Sequence, residues 1–287
     1  MKKESNKTIR AIVFLIMLVM FCGCAGLNQR LVSKEDAERL EALKEVDGLS
    51  VKGKKELAAN LAEPLKDKDL ATRSYAADVL LKIGHDSIPI LISTLKEKEH
   101  DVRITSEDTL VKMGQVAIPF LISALKDKNK YVRTHSAFAL GDIKPSTKEA
   151  VLSLISALKD EEKSVTSACR DALIKIGQID IADIVYSLKD ENQKAKINIA
   201  YVISKLNITE NEFIPILIEN LKEENSAITI PLSETLVNLG KASKENVSSI
   251  SSALKDKNNK IRLSVISILG EIGSNAEQCI PDLILLL

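Results

Sequence analysis

The sequence predicts an all-α solenoid of about eight stacked antiparallel helix pairs. Three observations predict it: a leucine–lysine–acid motif recurs at a regular spacing, each repeat carries two apolar stripes with helical spacing, and most repeats place a glycine after the second stripe. One helix pair cannot bury both of its stripes, so neighbouring pairs must stack to form a continuous core.

The spacing of the motif defines the repeats. The motif recurs at steps of 30 or 33 residues. Its leucines are Leu65, Leu95, Leu125, Leu158, Leu188, Leu221 and Leu254. Residues 69–287 are therefore predicted to form the solenoid, and residues 33–68 an atypical helix pair that caps its N-terminal end.

One helix of each pair, helix B, precedes the motif. The positions three, four and seven residues before the leucine are mainly aliphatic, as in Ile92, Leu91 and Ile88, and they share one helical face. A proline near the start of the helix costs no hydrogen bond there. These prolines are Pro89, Pro119, Pro215 and Pro281.

The other helix, helix A, follows the motif. Small residues in the middle of its apolar stripe allow neighbouring helices to approach closely. Glycines that are predicted to end it in a left-handed conformation are Gly84, Gly114, Gly177, Gly240 and Gly273. Asn207 takes that place once, and Lys144-Pro145 replaces it in another repeat, so that turn must differ. Ser33 is the predicted N-cap of the capping pair.

Residues 1–23 have the pattern of a secretory signal peptide. Four basic residues precede an apolar run from Ala11 to Phe21, which is shorter than the about 20 residues that span a bilayer. Gly23-Cys24 resembles the lipobox of bacterial lipoproteins, although Phe21 replaces the usual leucine. The resemblance implies lipidation of Cys24, a tether over residues 24–32 and a location in the cell envelope, outside the cytoplasm. An uncleaved membrane anchor and an ordinary signal peptide are the alternatives.

The repeat itself also resembles a known family. The stretch DVRITSEDTLVKMGQVAIPFLISALKD, from Asp101 to Asp127, is similar to the HEAT-type repeat of the phycobilisome-lyase class. The resemblance extends over nearly all of residues 69–287, and it implies a HEAT-like superhelix. It leaves the activity open, because such repeats occur in scaffolds, adaptors and a few enzymes.

Two polar columns recur with the repeats. An acid follows each motif leucine two residues later, and a base often stands six residues after that acid. The complete pairs are Asp67 with Arg73, Glu97 with Arg103, Asp127 with Arg133, Asp190 with Lys196, and Asp256 with Arg262. Thr166 and Thr229 leave gaps in the basic column. Because a catalytic pair would be expected once, these columns are interpreted as a structural ladder of hydrogen bonds and ion pairs in the turns.

The sequence predicts no catalytic, cofactor-binding or metal-binding residue. His85, His100 and His135 fall in separate repeats, and the chain lacks the His-Glu dipeptides that hold iron in deoxyhypusine hydroxylase, a HEAT-type enzyme. The formal net charge is zero, which argues against a nucleic-acid partner. Cys169 and Cys279 lie more than three repeats apart, too far for a disulfide.

Candidate partner-binding residues lie on the B helices, which line the concave face of HEAT solenoids. Ile90, Phe120 and Tyr186 are predicted to point outward and to contact a protein partner, although Ile90 and Phe120 could instead pack between helices.

The last predicted helix B reads CIPDLILLL. By the repeat register, Ile280, Leu283, Ile284 and Leu287 face the core, whereas Leu285 and Leu286 are exposed. An apolar, uncovered end predicts docking of a second copy or another protein, or else truncation relative to longer relatives.

The expected function is that of a non-catalytic, membrane-tethered scaffold or adaptor for a protein partner of unknown identity. The alternative is an enzyme, or an enzyme subunit, that uses the solenoid as a frame. That alternative requires a polar constellation that breaks the repeat pattern, and none is evident in the sequence.

Overall fold

The structure, a computed structural model, describes residues 26–27, 29–33, 35–177, 180–190 and 192–285. The regular elements of these residues are all helical, and successive helices pack against each other, so the predicted all-α solenoid is confirmed. The chain divides into two compact units, unit 1 (Met1–Ala139) and unit 2 (Leu140–Leu287).

From Asp36 onward, unit 1 contains three helix pairs and most of a further helix A. Short 3-10 turns join several of these helices. The helices are α1 (Asp36–Glu45), α2 (Val51–Asn60), α3 (Leu70–Ile83), α4 (Ile88–Thr94), α5 (His100–Met113), α6 (Ile118–Ala124) and α7 (Lys130–Ile143), which continues into unit 2.

Unit 2 continues the same alternation of helices. Helices A and B still follow each other, and the 3-10 turns recur. The helices are α8 (Lys148–Ala157), α9 (Lys163–Ile176), α10 (Ile181–Tyr186), α11 (Gln193–Lys205), α12 (Ile214–Glu219), α13 (Ser226–Ala242), α14 (Lys244–Ser251), α15 (Asn259–Ile272) and α16 (Ile280–Ile284).

The core lies between the stacked pairs, where the apolar stripes of the two helix types meet. The central leucine of helix B is fully buried in both units, as at Leu91, Leu121 and Leu217. Four B helices carry a proline in their first turn, as the sequence predicts, and there the missing N–H leaves no intrahelical bond unmade.

The turns that end the A helices have the predicted glycine in four repeats, and the turn at Lys144-Pro145 differs from them as predicted. Two further predictions, for Gly240 and Asn207, are wrong. Gly84, Gly114, Gly177 and Gly273 have φ values between 62° and 76°. The prediction for Gly240 is wrong, because α13 runs past it to Ala242. The prediction for Asn207 is also wrong, because its φ is not positive. Among the described residues, the positive-φ residue other than glycine is Lys144, with φ 53°. The turn before Pro145 therefore takes a left-handed lysine.

The N-terminal end differs from the prediction in two respects. Helix α1 begins at Asp36, and Ser33 does not cap it; the Ser33 hydroxyl instead accepts a bond from the Glu35 N–H. Residues 26–27 and 29–31 are helical, with Leu27 and Leu31 buried, so this part of the predicted tether is packed rather than extended. Two leucines spaced four residues apart share a helical face, which explains their joint burial.

Two isoleucines of the C-terminal helix that the repeat register places in the core are exposed in the structure. Ile280 and Ile284 are 50% and 62% exposed, whereas Ile88, at the position equivalent to Ile280, is fully buried. In a stack, the face that a helix B turns toward the following pair is buried by that pair. No such pair covers α16 within the described residues, so these side chains remain exposed.

Two small residues, Gly141 on α7 and Ala172 on α9, allow a close contact between helices in unit 2, and this contact leads to a testable prediction. A Cβ atom added to Gly141 would lie 2.8 Å from the backbone Cα of Ala172, closer than such atoms can approach. We expect Gly141→Ala to lower the free energy of unfolding by about 1–3 kcal/mol, because the two helices must separate.

The matched control is Gly270→Ala. This glycine lies inside α15 with open space around its Cα, so alanine is expected to add up to about 1 kcal/mol through helix propensity alone. Denaturant titrations of both variants provide the measurement, and equal shifts of the two midpoints would contradict the packing argument.

Candidate interaction surfaces and a buried polar cluster

The predicted partner positions of unit 1 are half-buried. Ile90 on α4 and Phe120 on α6 each keep part of their surface in solvent. The ring of Phe120 meets the imidazole of His85 edge-on at 5.2 Å between centroids. These side chains therefore pack partly between helices and partly face outward, in a row where the neighbouring Ser93 and Ser123 are exposed.

The corresponding surface of unit 2 carries an aromatic residue with charged neighbours. Tyr186 at the end of α10 is 51% exposed, and its ring lies edge-on to Phe213 at 6.4 Å. The ammonium group of Lys189 lies 5.3 Å from the tyrosine centroid. On the same helix Asp183 accepts a 2.7 Å hydrogen bond from Lys148, which raises the pKa of this lysine.

The remaining predicted contact residues lie at the two ends of the chain. Leu285 is 81% exposed, as the register predicts. Leu286 and the predicted lipidation residue Cys24 lie outside the described residues.

The basic column of the ladder binds the backbone of the turn rather than the acid six residues earlier. The Nη1 atom of Arg73 donates to the carbonyl oxygens of Asp67 and Lys68, at 2.8 and 3.0 Å. The same pair of bonds recurs at Arg103, Arg133 and Arg262. Each arginine thereby satisfies two carbonyl groups that the preceding helical turn leaves without an N–H partner.

The acidic column stabilises the same turns from the other side. The carboxylates of Asp67, Asp127 and Asp256 accept a hydrogen bond from the N–H group two residues later, at 2.7–2.8 Å. Glu97 differs, since its carboxylate pairs with Lys66 of the preceding repeat at 3.2 Å. Hydrogen bonds from Lys66 to Glu63 and to Glu97 raise the pKa of this lysine.

A buried polar cluster in unit 1 is the feature that the sequence interpretation missed. It consists of Arg103 and Glu107 on α5, each 8% exposed, and His135 on α7, 5% exposed. The guanidinium Nε of Arg103 donates to His135 Nε2 at 3.0 Å, and His135 Nδ1 is hydrogen-bonded to Glu107. The guanidinium also lies over the ring of Tyr131, 4.3 Å from its centroid.

The hydrogen bonds of the cluster determine the tautomer of His135. The arginine Nε can only donate, so His135 Nε2 accepts and the ring proton lies on Nδ1, from which it is donated to the Glu107 carboxylate. The imidazole thus links a buried cation to a buried anion. Both of its nitrogens are engaged within the protein, so neither offers a lone pair to a substrate or a metal ion.

One sequence signal could have identified this cluster. Glu107 occupies a helix-A position that is alanine in the repeats on either side, Ala77 and Ala137. An acid is seldom buried without a partner, so its place in a column of small core residues predicts a buried cation or donor nearby.

Further features of the described residues bear on function. Within them, no group of three His, Cys, Asp or Glu side chains is placed to hold a metal ion. No helix of the described chain is both long and apolar enough to cross a bilayer. Cys169 and Cys279 are both buried thiols, each in its own repeat.

A known family of repeats matches part of the chain. Residues 118–187 match a family described as HEAT repeats. Residues 118–187 are therefore similar to HEAT repeats, and they lie within an all-α solenoid. A search of curated proteins finds no match.

Several solved structures are similar to this chain over 90% of its length. An engineered protein is 16% identical with a TM-score of 0.38, and the match covers 81% of that chain. Human deoxyhypusine hydroxylase, in complex with glycerol, is 19% identical with a TM-score of 0.32, and the match covers 98% of it. Kap95p, described as inducing the switch loops of RanGDP to adopt the GTP-bound conformation, is 14% identical with a TM-score of 0.46; the match covers 41% of that chain.

Proposed function

We propose that this chain is a non-catalytic scaffold or adaptor that binds a protein partner through the outward side of its B helices. The observation that carries the proposal is the set of four uncharged side chains, at least part-exposed, that successive B helices of unit 1 carry: Ile90, Ser93, Phe120 and Ser123. Part-exposed apolar side chains flanked by small polar ones are typical of protein contacts. HEAT repeats generally act in such interactions, which supports the proposal.

The experiment is the double substitution Ile90→Ser and Phe120→Ser. We expect cross-linked capture of the partner from native envelope extracts to fall about tenfold or more, because both apolar contacts are lost at once. The melting temperature is expected to fall only modestly, since both side chains are already part-exposed.

The matched control is Val116→Ser, an exposed apolar residue of the same unit that lies in a turn rather than on a B helix. The Val116→Ser variant is expected to capture as much partner as the wild type. A large loss of stability in the double variant would instead assign Ile90 and Phe120 to the core, and it would contradict the proposed surface.

We propose further that the chain is a lipoprotein of the bacterial cell envelope, tethered through Cys24, with its repeats of the phycobilisome-lyase class held outside the cytoplasm. The support is the sequence pattern of residues 1–24. The packing of Leu27 and Leu31 leaves few residues between Cys24 and the folded chain, which favours a solenoid held close to the membrane.

We also propose self-association through the apolar side of α16. Ile280, Ile284 and Leu285 form an exposed surface there, and contiguous apolar surfaces of this kind often mark interfaces. Polar substitution of Leu285 and Leu286 is expected to shift the protein toward monomer in sedimentation. A monomer at high concentration before and after the substitutions would refute self-association.

The alternative function, an enzyme that uses the solenoid as a frame, requires reactive groups open to a substrate. The buried cluster breaks the repeat pattern, but its imidazole has both nitrogens hydrogen-bonded to Arg103 and Glu107. The cluster therefore fits a structural role better than a catalytic one.

A further inference from the structure

The ladder lacks its basic residue at Thr229, and the groups that this residue would bind can be identified. In four repeats, an arginine at this helix-A position donates to the two carbonyl oxygens of the preceding turn, at 2.7–3.1 Å. In α13 the position is Thr229, whose side chain is too short to reach them. The equivalent carbonyls are those of Glu223 and Glu224.

The turn before Thr229 keeps the conformation that serves arginine elsewhere. Glu223 has φ −60° and ψ 146°, and Asp256, whose carbonyl accepts from Arg262, has φ −62° and ψ 147°. The N-caps agree as well, since Asn225 has φ −83° and ψ 110° against −82° and 119° for Asn258. Within the described chain no side chain donates to the carbonyl oxygens of Glu223 and Glu224. The turn therefore keeps the two acceptors that bind arginine in other repeats, but it lacks the arginine.

A cleft opens at this position. It has a volume of about 340 Å³ and is open to solvent. Its lining residues are Leu221, Glu223, Glu224, Thr229, Lys260, Leu263 and Ser264. The gap at Thr166 differs, because Thr166 is buried and bonds the Lys163 carbonyl.

The cleft suits a hydrogen-bond donor with an apolar stem, because it combines the two carbonyl acceptors with an apolar wall, and its two carboxylates are each paired with a lysine. Hydrogen bonds from Lys196 and Gln193 lower the pKa of Glu223, and a hydrogen bond from Lys260 lowers the pKa of Glu224, so both carboxylates are charged at neutral pH. Leu263 forms an exposed apolar wall, and Ile230 is exposed at the same position of the preceding helix A.

We propose that this cleft binds the guanidinium group of an arginine on a partner polypeptide, with its stem along Leu263 and its nitrogens on the Glu223 and Glu224 carbonyls. The inference rests on the proposed function in that it assumes a protein partner, but it uses a different surface from Ile90 and Phe120. The occupant is the group that fills this position in the protein's own repeats.

Arginine fits this geometry better than lysine. In the filled repeats, one guanidinium nitrogen serves both carbonyls, and in Arg262 the second terminal nitrogen, Nη2, also donates to Asn259. A partner's arginine could likewise use its second nitrogen on the exposed Glu224 carboxylate. At Lys196, the equivalent lysine of α11, the ammonium group extends to Glu223 in the next turn, at 2.6 Å.

The test uses the full-length chain in mild detergent with methyl-labelled isoleucine and leucine. The probe is a short acetylated peptide with one arginine flanked by leucine, and the comparison peptide carries uncharged citrulline instead. We expect millimolar binding of the arginine peptide, with shifts at the Leu221, Ile230 and Leu263 methyls, and at least tenfold weaker binding of the citrulline peptide. Absence of these shifts, or equal binding of the two peptides, would overturn the proposal.

The decisive variant is Thr229→Arg, which supplies the missing side chain from within the chain. It is expected to abolish the peptide-induced shifts while the melting temperature is maintained or raised, and unchanged peptide binding would refute the proposal. Gln115→Arg, on an exposed turn of unit 1, adds the same charge and should leave binding unaltered.

A second variant, Glu224→Gln, keeps the test informative if Thr229→Arg fails to fold. Glu224 is exposed and lies in a turn, and replacing its carboxylate by the glutamine amide should weaken peptide binding at least threefold. Unchanged affinity counts against the proposal. Loss of peptide binding with intact partner capture through Ile90 and Phe120 would leave the proposed function standing.

Discussion

Replacing Arg103 by alanine is expected to lower the free energy of unfolding by about 3–5 kcal/mol. The change removes two bonds to turn carbonyls and the contact with Tyr131, and it leaves His135 Nε2 and the buried Glu107 carboxylate without their cation. An uncompensated buried charge is what makes the loss so large. Arg133→Ala is expected to act in the same direction with a smaller effect.

The matched control is Arg262→Ala. Arg262 makes the same two bonds to its turn, at 2.8 and 3.1 Å, but it is not part of a buried cluster. We expect it to cost about 1 kcal/mol. Thermal melts and partner-capture assays on the same variants measure both effects. Intact melting with abolished binding at Arg103 would show that the ladder is functional rather than structural.

Cys24→Ser is expected to abolish lipidation completely. Only the thiol of Cys24 follows a small residue, Gly23, at the end of the apolar run, so the lipoprotein interpretation requires this sulfur. Mass spectrometry of the mature N-terminus should find a lipidated Cys24 as the first residue in the wild type and no lipid in the variant.

Cys22→Ser is the matched control, because it removes a thiol two residues away that follows the bulky Phe21. Its mature N-terminus should remain lipidated at Cys24. A wild-type protein that begins with Met1, or that starts unmodified, would contradict the prediction and favour an uncleaved anchor or an ordinary signal peptide.

The boundaries and turns of the helix pairs were largely predictable from the sequence because they depend on local chemistry. The prolines of the B helices and the glycines Gly84 and Gly114 act within one turn of the chain, and the sequence shows them directly. The exception at Gly240 arises from packing, since a Cβ atom there would lie 2.3 Å from the Ile272 side chain. Its glycine serves a close contact between helices rather than a turn.

The candidate sites depended on contacts between repeats, which the sequence pattern does not specify. That Ile90 and Phe120 are only half-exposed follows from the packing of neighbouring helices. The register placed Ile280 and Ile284 in the core, because a periodic argument treats every helix B alike, whereas the exposure of a side chain depends on what packs against its own helix.

The sequence by itself determined that this protein is an all-α solenoid of repeated helix pairs, because the period, the apolar stripes and the turn residues are local and recur. Only the tertiary structure revealed that Arg103, His135 and Glu107 form one buried cluster, since the bond between α5 and α7 joins residues 32 positions apart. The cleft at Thr229 likewise became visible only when the turn was seen to keep its conformation without an arginine. The repeat pattern shows that an arginine is missing at position 229. The cleft and the two free carbonyl acceptors that result are visible only in the folded chain.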